Sequence, residues 1–262
     1  MMMYADDTVI FYSDKNIARI HENLQSDFNS FVTWLEHNEL IINTKIGKTE
    51  TMLFGTGKRI SMTEDTSLSI KHKENIINQT NSYIYLGLSL SNTLCMSQHI
   101  TSSIKVASSR LNLLKKMREF MNTETAIIIY QSMILPFLTN CNFATYGATP
   151  NYLKERTVSL ENRATRIIGK KVNCTDKIKI KRMCCFVHQC VYGNVCEPFQ
   201  KYFELKKKQT ARNLSTVNIP RLKLESARYS FYVQGAMAFN KLPKNFQTEK
   251  DETKFGSFFK KY

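Results

Sequence analysis

Asp6 and Asp7 stand side by side near the start of the chain, after the run Met1–Tyr4 and Ala5 and before the β-rich stretch Thr8–Tyr12. Neighbouring side chains on a strand point to opposite faces, so two adjacent carboxylates reach one place only where the backbone turns sharply. The pair therefore predicts a tight hairpin. Two carboxylates in a largely apolar hairpin repel one another and are costly to desolvate, and a divalent cation with oxygen ligands offsets both penalties. Taken alone, the residues fit either a Mg²⁺ platform or a solvated turn, since Asp is common in turns.

Beyond the hairpin, Ile17, Ile20, Leu24, Phe28, Phe31, Val32 and Leu35 recur at three- and four-residue steps, which predicts an amphipathic helix from Asp14 to His37. Strand character follows at Leu40, Ile42 and Thr51–Phe54, on either side of the polar turn Asn43–Thr49. Gly55 and Gly57 mark a turn, and Ser61–Thr66 reads as a polar loop. Leu68 and Ile70 are expected to pair with Ile76 and Ile77 around the charged tip Lys71–Asn75. Ser82–Leu90 reads as a further strand. A helix laid across strands in this order belongs to the α+β class.

YADD between short apolar strands resembles the active-site hairpin of reverse transcriptases. The rest of the chain, from Tyr4 almost to Tyr262, is similar to the C-terminal part of the reverse transcriptase of a non-LTR retrotransposon. That resemblance implies an RNA-directed DNA polymerase, with Asp6 and Asp7 as catalytic carboxylates holding Mg²⁺ and a partial palm around them. Glu39–Phe54 matches the family's next motif through Asn43, Lys48 and Thr49. Lys48 would lie near the incoming deoxynucleotide triphosphate and donate a proton to pyrophosphate, where without the resemblance it would be an ordinary exposed loop lysine. Tyr85, Leu86 and Gly87 resemble the primer-grip hairpin, in which close approach of backbone to primer favours a residue without Cβ. A glycine in a β-turn explains the same three residues.

From Ser97 onward the periodicity becomes helical. Ile100, Ile104, Ala107, Leu111 and Leu114 form one narrow stripe, and Lys105, Ser109, Asn112 and Lys116 fall opposite it with Lys115 at the margin. The resemblance places this helix in the thumb, where Lys105, Ser109, Lys115 and Lys116 would follow the backbone of an RNA/DNA hybrid or another duplex. A second helix is expected over Thr123–Leu135, capped by Asn122 or Thr123. A third is expected over Tyr152–Ile168, with Leu153, Val158 or Leu160, Ala164, Ile167 and Ile168 apolar. The "RA-x-RII" pattern at Arg163–Ile168 recurs in the family without an assigned chemistry.

Charge separates the same two regions. Up to Met96 there are 8 Lys and Arg against 11 Asp and Glu, and from Ser97 onward 29 against 11. Such a distribution suits a polyanion, nucleic acid first and an anionic membrane surface second. The longest apolar run, Ile127–Leu138, is interrupted by Tyr130, Gln131, Ser132 and Pro136 and is far short of the roughly 20 residues that span a bilayer. No secretory signal is apparent, and seven cysteines at irregular spacing fit reduced thiols without disulfides in the cytosol or nucleus.

Cys184, Cys185, His188, Cys190 and Cys196 cluster, but zinc sites usually draw their four ligands from CxxC-type turns, which this stretch lacks. Core packing is the expected role, since free cysteine is among the most buried residue types. Lys201–Arg212, with the run Lys206–Lys208, forms a basic connector. The "TARN" at Thr210–Asn213, Arg221–Tyr232, Ala238–Pro243 and Phe255–Tyr262 resemble the family's tail and suggest a small α+β cap. Three parts are thus expected, a partial palm over 1–96, a helical thumb and following helices over 97–200, and a basic connector and cap over 201–262. Two-metal phosphoryl transfer needs carboxylates on both sides of the metal pair. The resemblance puts a further Asp and the fingers residues before Met1, so the chain reads as a fragment cut at YADD and inactive alone. The alternative is a non-catalytic nucleic-acid-binding protein that uses the basic helices.

Overall fold

In a computed structural model, residues 1–62, 67–193, 195–205, 216–219, 222 and 225–261 are described. The chain is α+β and divides into two compact units, Met1–Cys95 and Met96–Tyr262.

The first unit opens with β1 (Met2–Tyr4) and β2 (Asp7–Val9), followed by α1 (Ile17–His37), β3 (Glu50–Thr51) and α2 (Gly57–Met62). Then come β4 (Lys71–His72), β5 (Asn75–Ile76), β6 (Asn78–Gln79), β7 (Ser82–Tyr85) and β8 (Leu88–Ser91). Helix α1 starts three residues later than its periodicity suggests. Asn16 caps it by accepting from the Ala18 N–H at 2.9 Å, while Asp14 accepts from the Asn16 N–H and so lies outside the helix. Phe28 is buried with Ile70 and Ile77, and Leu24, Val32, Ile10 and Ile42 pack around them. Gln25 brackets the backbone of Lys71, donating to its carbonyl at 2.9 Å and accepting from its N–H at 2.7 Å. That bond pair holds the helix on the β4–β5 hairpin.

Several strand expectations are corrected here. The strands form four separate two-stranded ladders, three antiparallel and one, β3 with β6, parallel. Leu40 and Ile42 lie in no strand, and only Glu50–Thr51 of the expected stretch near Thr51–Phe54 is paired. Ile41 is 95% exposed, because an apolar run becomes a strand only where a neighbouring edge is available to pair with it. Ser61 and Met62, expected in a loop, close α2, and 63–66 lie outside the described residues. The Leu68–Ile77 hairpin is present, with Ile77 N–H donating to Ile70 O, but the ladder runs up the expected tip and only Lys73 and Glu74 remain as its turn. Ser82–Leu90 is two strands of a hairpin rather than one.

The second unit comprises α3 (Ser97–Met117), a 3₁₀ turn Arg118–Phe120, α4 (Thr123–Ile129), a π turn Tyr130–Ile134, α5 (Leu135–Thr139), α6 (Asn142–Thr145), α7 (Asn151–Ile168) and α8 (Thr175–Val191). It ends with α9 (Glu197–Gln200), α10 (Glu225–Arg228), α11 (Phe231–Asn240), α12 (Lys244–Gln247) and α13 (Glu252–Lys261). The expected stripe of α3 is buried along its whole length. Asn122 caps α4, accepting from Thr125 N–H at 2.8 Å. That helix does not stop at Leu135. It widens into the π turn, in which Leu135 N–H reaches back to Tyr130 O, and continues past Pro136 to Thr139. Proline has no N–H to give to the preceding turn, and a π turn is one way to absorb that loss. Gly169, at φ +80°, closes α7 in the left-handed conformation that glycine adopts without strain.

Arginines join these helices. Arg163 donates to the Ser108 hydroxyl at 2.7 Å and to its carbonyl, tying α7 to α3. Arg118 donates to Ile167 O, Ile168 O, Met121 O and the Thr123 hydroxyl, which satisfies carbonyls left open at the C-terminus of α7. Buried Glu161 of α7 accepts from Thr175 N–H at 2.7 Å and caps the positive end of α8. The "RA-x-RII" pattern thus has a structural role at Arg163.

Cys184, Val187 and Cys190 of α8 share one core with Phe203, Val217, Ala236, Phe239, Phe246 and Phe255. Gly235 lets α11 approach α8, since a Cβ there would sit 3.0 Å from the Val187 methyl. Apart from one bridge, Leu205 with Val217, the described part of the tail is helical, where an α+β cap is expected. The lysine run 206–208, the "TARN" stretch and Arg221 lie outside the described residues. Among the described residues no helix is long and apolar enough to cross a membrane.

Candidate functional site

The β1–β2 ladder pairs Met2 with Val9, Met3 with Thr8 and Tyr4 with Asp7, leaving Ala5 and Asp6 as a two-residue loop. Asp6 therefore sits in the turn and Asp7 on the first position of β2, which is the sharp reversal that the adjacent carboxylates call for. Both are exposed. Ala5 has φ +53°, a left-handed conformation that costs a residue with a Cβ roughly 1–2 kcal/mol. Hairpin loops of this length usually place glycine or asparagine at such a position.

Lys48 lies exposed in the turn after Asn43. Its N–H donates to Lys45 O, and its carbonyl accepts from the Tyr83 hydroxyl at 3.2 Å. Glu50 fixes the same turn, with one oxygen accepting from Gly47 N–H at 2.9 Å and from the Asn78 amide at 3.2 Å. The Lys48 ammonium has no ion-pair partner among the described residues, and no hydrogen bond joins it to Asp6 or Asp7.

Tyr85 and Leu88 close the β7–β8 hairpin, and Leu86 and Gly87 form its turn at φ +47° and +79°. Positive φ at both central residues is the type I′ pattern that matches strand twist, so turn geometry by itself accounts for Gly87. Tyr85 is half-buried and Leu86 exposed, which leaves an apolar side chain at the hairpin tip.

In the second unit, Lys105, Ser109, Asn112, Lys115 and Lys116 are all exposed along the face of α3 opposite its buried stripe. A shallow open concavity at the end of this face is lined by Asn112, Lys115, Lys116, Arg118 and Glu119. Lys105, Lys115 and Lys116 have no ion-pair partner among the described residues. Uncompensated cations in a row can bind phosphates without regard to sequence.

The cysteine cluster is part of the core. Burial pushes the Cys184 thiol up to about 12 and the Cys190 thiol to about 11, which holds both protonated at neutral pH. His188 donates from Nε2 to the Glu249 carbonyl at 2.8 Å and stacks on Phe255 at 4.2 Å. All seven cysteines carry free thiols. Among the described residues no three His, Cys, Asp or Glu side chains converge as a metal-ligand group. Asp6 and Asp7 thus stand as a pair. Mg²⁺ is commonly held by one or two carboxylates together with waters and substrate phosphates, and two exposed hard oxygen donors at one turn fit that habit.

The structural roles of Arg118, Arg163 and Glu161 are not legible in the sequence, because the partners that define them lie 14 to 55 residues away in the chain. Phe120 is the aromatic residue that closes the basic run Lys115–Phe120, a composition that by itself marks no function.

The chain is 28% identical over 138 residues to the RNA-directed DNA polymerase from mobile element jockey of Drosophila melanogaster. The match covers 52% of this chain but 14% of that relative, so the chain corresponds to a small part of it. No family model matches the chain, and no solved structure matches it. The chain is thus distantly similar to a retrotransposon polymerase, and this similarity agrees with the reverse-transcriptase-like motif at Tyr4–Asp7.

Proposed function

We propose that this chain is part of an RNA-directed DNA polymerase, in which Asp6 and Asp7 are catalytic carboxylates at the primer end. The observation that carries this reading is the pair of exposed adjacent carboxylates at a two-residue hairpin turn, within the sequence YADD. The distant likeness to the jockey polymerase supports it. Asp6 and Asp7 would hold Mg²⁺. When bound there, the ion stabilises negative charge on phosphoryl oxygens and makes the primer hydroxyl a better nucleophile. The remaining roles fall to the chain's own side chains. Lys48, in a turn fixed by Tyr83 and Glu50, donates a proton to the departing pyrophosphate of the deoxynucleotide. Tyr85, Leu86 and Gly87 present a hairpin tip to the primer. Lys105, Ser109, Lys115 and Lys116 hold the phosphates of the RNA/DNA hybrid.

Two carboxylates supply one side of a two-metal arrangement, and no third joins them among the described residues. The 262-residue chain by itself is therefore expected to bind primer-template without extending it. Template-dependent extension that Asp6→Ala abolishes would overturn that expectation. Binding is tested by titrating labelled RNA/DNA hybrid at several salt concentrations. Each phosphate neutralised on duplex DNA contributes a slope of about −0.9, so alanine at Lys105, Lys115 and Lys116 together should reduce the slope by up to about 3. Asp6→Ala should leave it unchanged. Equal slopes for wild type and the triple variant would remove α3 from the binding face.

A further inference from the structure

We infer that the turn Arg118–Phe120 and the C-terminus of α7 together form a site for single-stranded nucleic acid, with Phe120 as a stacking platform for an unpaired base. Phe120 is 82% exposed, the most open aromatic side chain among the described residues. Lys116 precedes it by one helical turn, and Met117 lies half-exposed beside it. The guanidinium of Arg118 donates to Ile167 O at 3.2 Å and to Ile168 O at 3.1 Å, so the turn that carries Phe120 is pinned to the end of α7. Lys170 and Lys171, both exposed, leave α7 just beyond that point.

Exposed lysines therefore stand on both segments that Arg118 joins, Lys115 and Lys116 before the Phe120 turn and Lys170 and Lys171 just after α7. Lys115, Lys116, Lys170 and Lys171 have no ion-pair partner among the described residues, and Glu119 is the one acidic side chain lining the adjoining concavity. The same guanidinium also occupies carbonyls of α7 whose negative end would otherwise repel a phosphate. An exposed ring on a pinned turn, with unpaired lysines nearby in the chain, is the combination by which single strands are held. The base stacks, the phosphates are neutralised, and sequence matters little. A base pair inside a duplex has no free face to offer the ring, so this site discriminates unpaired from paired nucleic acid. The α3 face proposed for hybrid binding shares Lys115 and Lys116 with this site, and Phe120 and the end of α7 add a contact that the hybrid face does not use.

The test uses the full chain with two labelled probes, oligo-uridine and a blunt-ended RNA/DNA hybrid. Phe120→Ala should weaken oligo-uridine binding about tenfold, as expected for loss of one stacked base, and leave the hybrid unchanged. Phe120→Trp on a Trp34→Phe background should keep the affinity, and oligo-uridine should quench its fluorescence. Lys170→Ala with Lys171→Ala should reduce the salt slope for oligo-uridine by up to about 1.4. Lys105→Ala and Asp6→Ala should leave oligo-uridine binding intact, so failure of the polymerase reading and failure of this one are told apart. Equal oligo-uridine affinity for wild type and Phe120→Ala, with no quenching in the tryptophan variant, would overturn the proposal and leave Phe120 as a surface for a protein. Equal losses on both probes would overturn it as well.

Discussion

The two units keep their shape by different means. Among the described residues, Phe28, Leu68, Ile70 and Ile77 are the buried apolar side chains of Met1–Cys95, while Met96–Tyr262 buries whole faces of α3, α7, α8 and α11. Backbone strain is distributed the other way. Ala5, Glu39, Lys73, Leu86 and Leu94 hold positive φ in the first unit, and Cys141 alone among the described non-glycine residues does so in the second. Where little apolar surface is buried, tight turns fix the geometry. Both hairpins singled out for chemistry, at Ala5–Asp6 and at Leu86–Gly87, are of this kind. Local strain of this sort persists only where surrounding structure over-determines it. The units should therefore differ in how they open, and the candidate chemistry lies in the looser one.

The largest effect is expected from a core truncation in the second unit. Phe239 is fully buried in the α8–α11 core. Phe239→Ala should cost about 3–5 kcal/mol through lost transfer energy and the cavity left behind. The chain has one tryptophan, Trp34 on α1, half-exposed and stacked on Phe31 at 6.1 Å. Indole fluorescence thus reports the first unit, while helical circular dichroism is dominated by the second. In urea the dichroism transition of the variant should move to lower denaturant while the Trp34 transition stays in place. If both move together, the units unfold as one and the contrast between them fails.

A pH titration sharpens the same contrast. His99 is buried on the first turn of α3, and burial lowers its pKa below 6.5, with the positive charge of Lys179 lowering it further. The unfolded chain then takes up this proton first. Stability from keeping the ring neutral is complete above pH 6.5 and declines as pH falls below it, until the folded-state value is reached. The dichroism transition should weaken between pH 6.5 and more acid conditions, and His99→Gln should flatten that step without moving the Trp34 signal. A step of unchanged size in His99→Gln would assign the acid limb to another group.

The sequence makes some of this legible and hides the rest for identifiable reasons. The buried stripe of α3, the Asn122 cap and the amphipathic face of α1 follow from spacing, because each depends on residues within a few positions of one another. The turn at Asp6–Asp7 follows from side-chain direction alone. Leu86 at positive φ gives no such cue, which is why Ser82–Leu90 reads as one strand until the ladder is seen to fold back. The π turn before Pro136 is likewise a tertiary solution to a missing N–H. Arg163 and Arg166 stand alike in the "RA-x-RII" pattern. Arg163 is spent on Ser108, whereas Arg166 and Lys170 stay exposed.

The smallest expected effect concerns the strain at the Ala5–Asp6 turn. Ala5 at φ +53° occupies a conformation that costs a Cβ-bearing residue roughly 1–2 kcal/mol and glycine almost nothing. Glycine also frees the unfolded chain, at a cost of roughly 0.5–1 kcal/mol, so the two effects partly cancel. Ala5→Gly should leave a net gain of up to about 1.5 kcal/mol, or up to about tenfold greater amide-exchange protection in the β1–β2 ladder. The second unit should show no change. A loss of protection at Thr8 and Val9 would mean that Ala5 is not left-handed in solution, and the first unit would then owe its hairpin to something other than a forced turn. A gain would place stored strain next to Asp6 and Asp7. Supporting structure around that hairpin must then supply the energy that holds the turn.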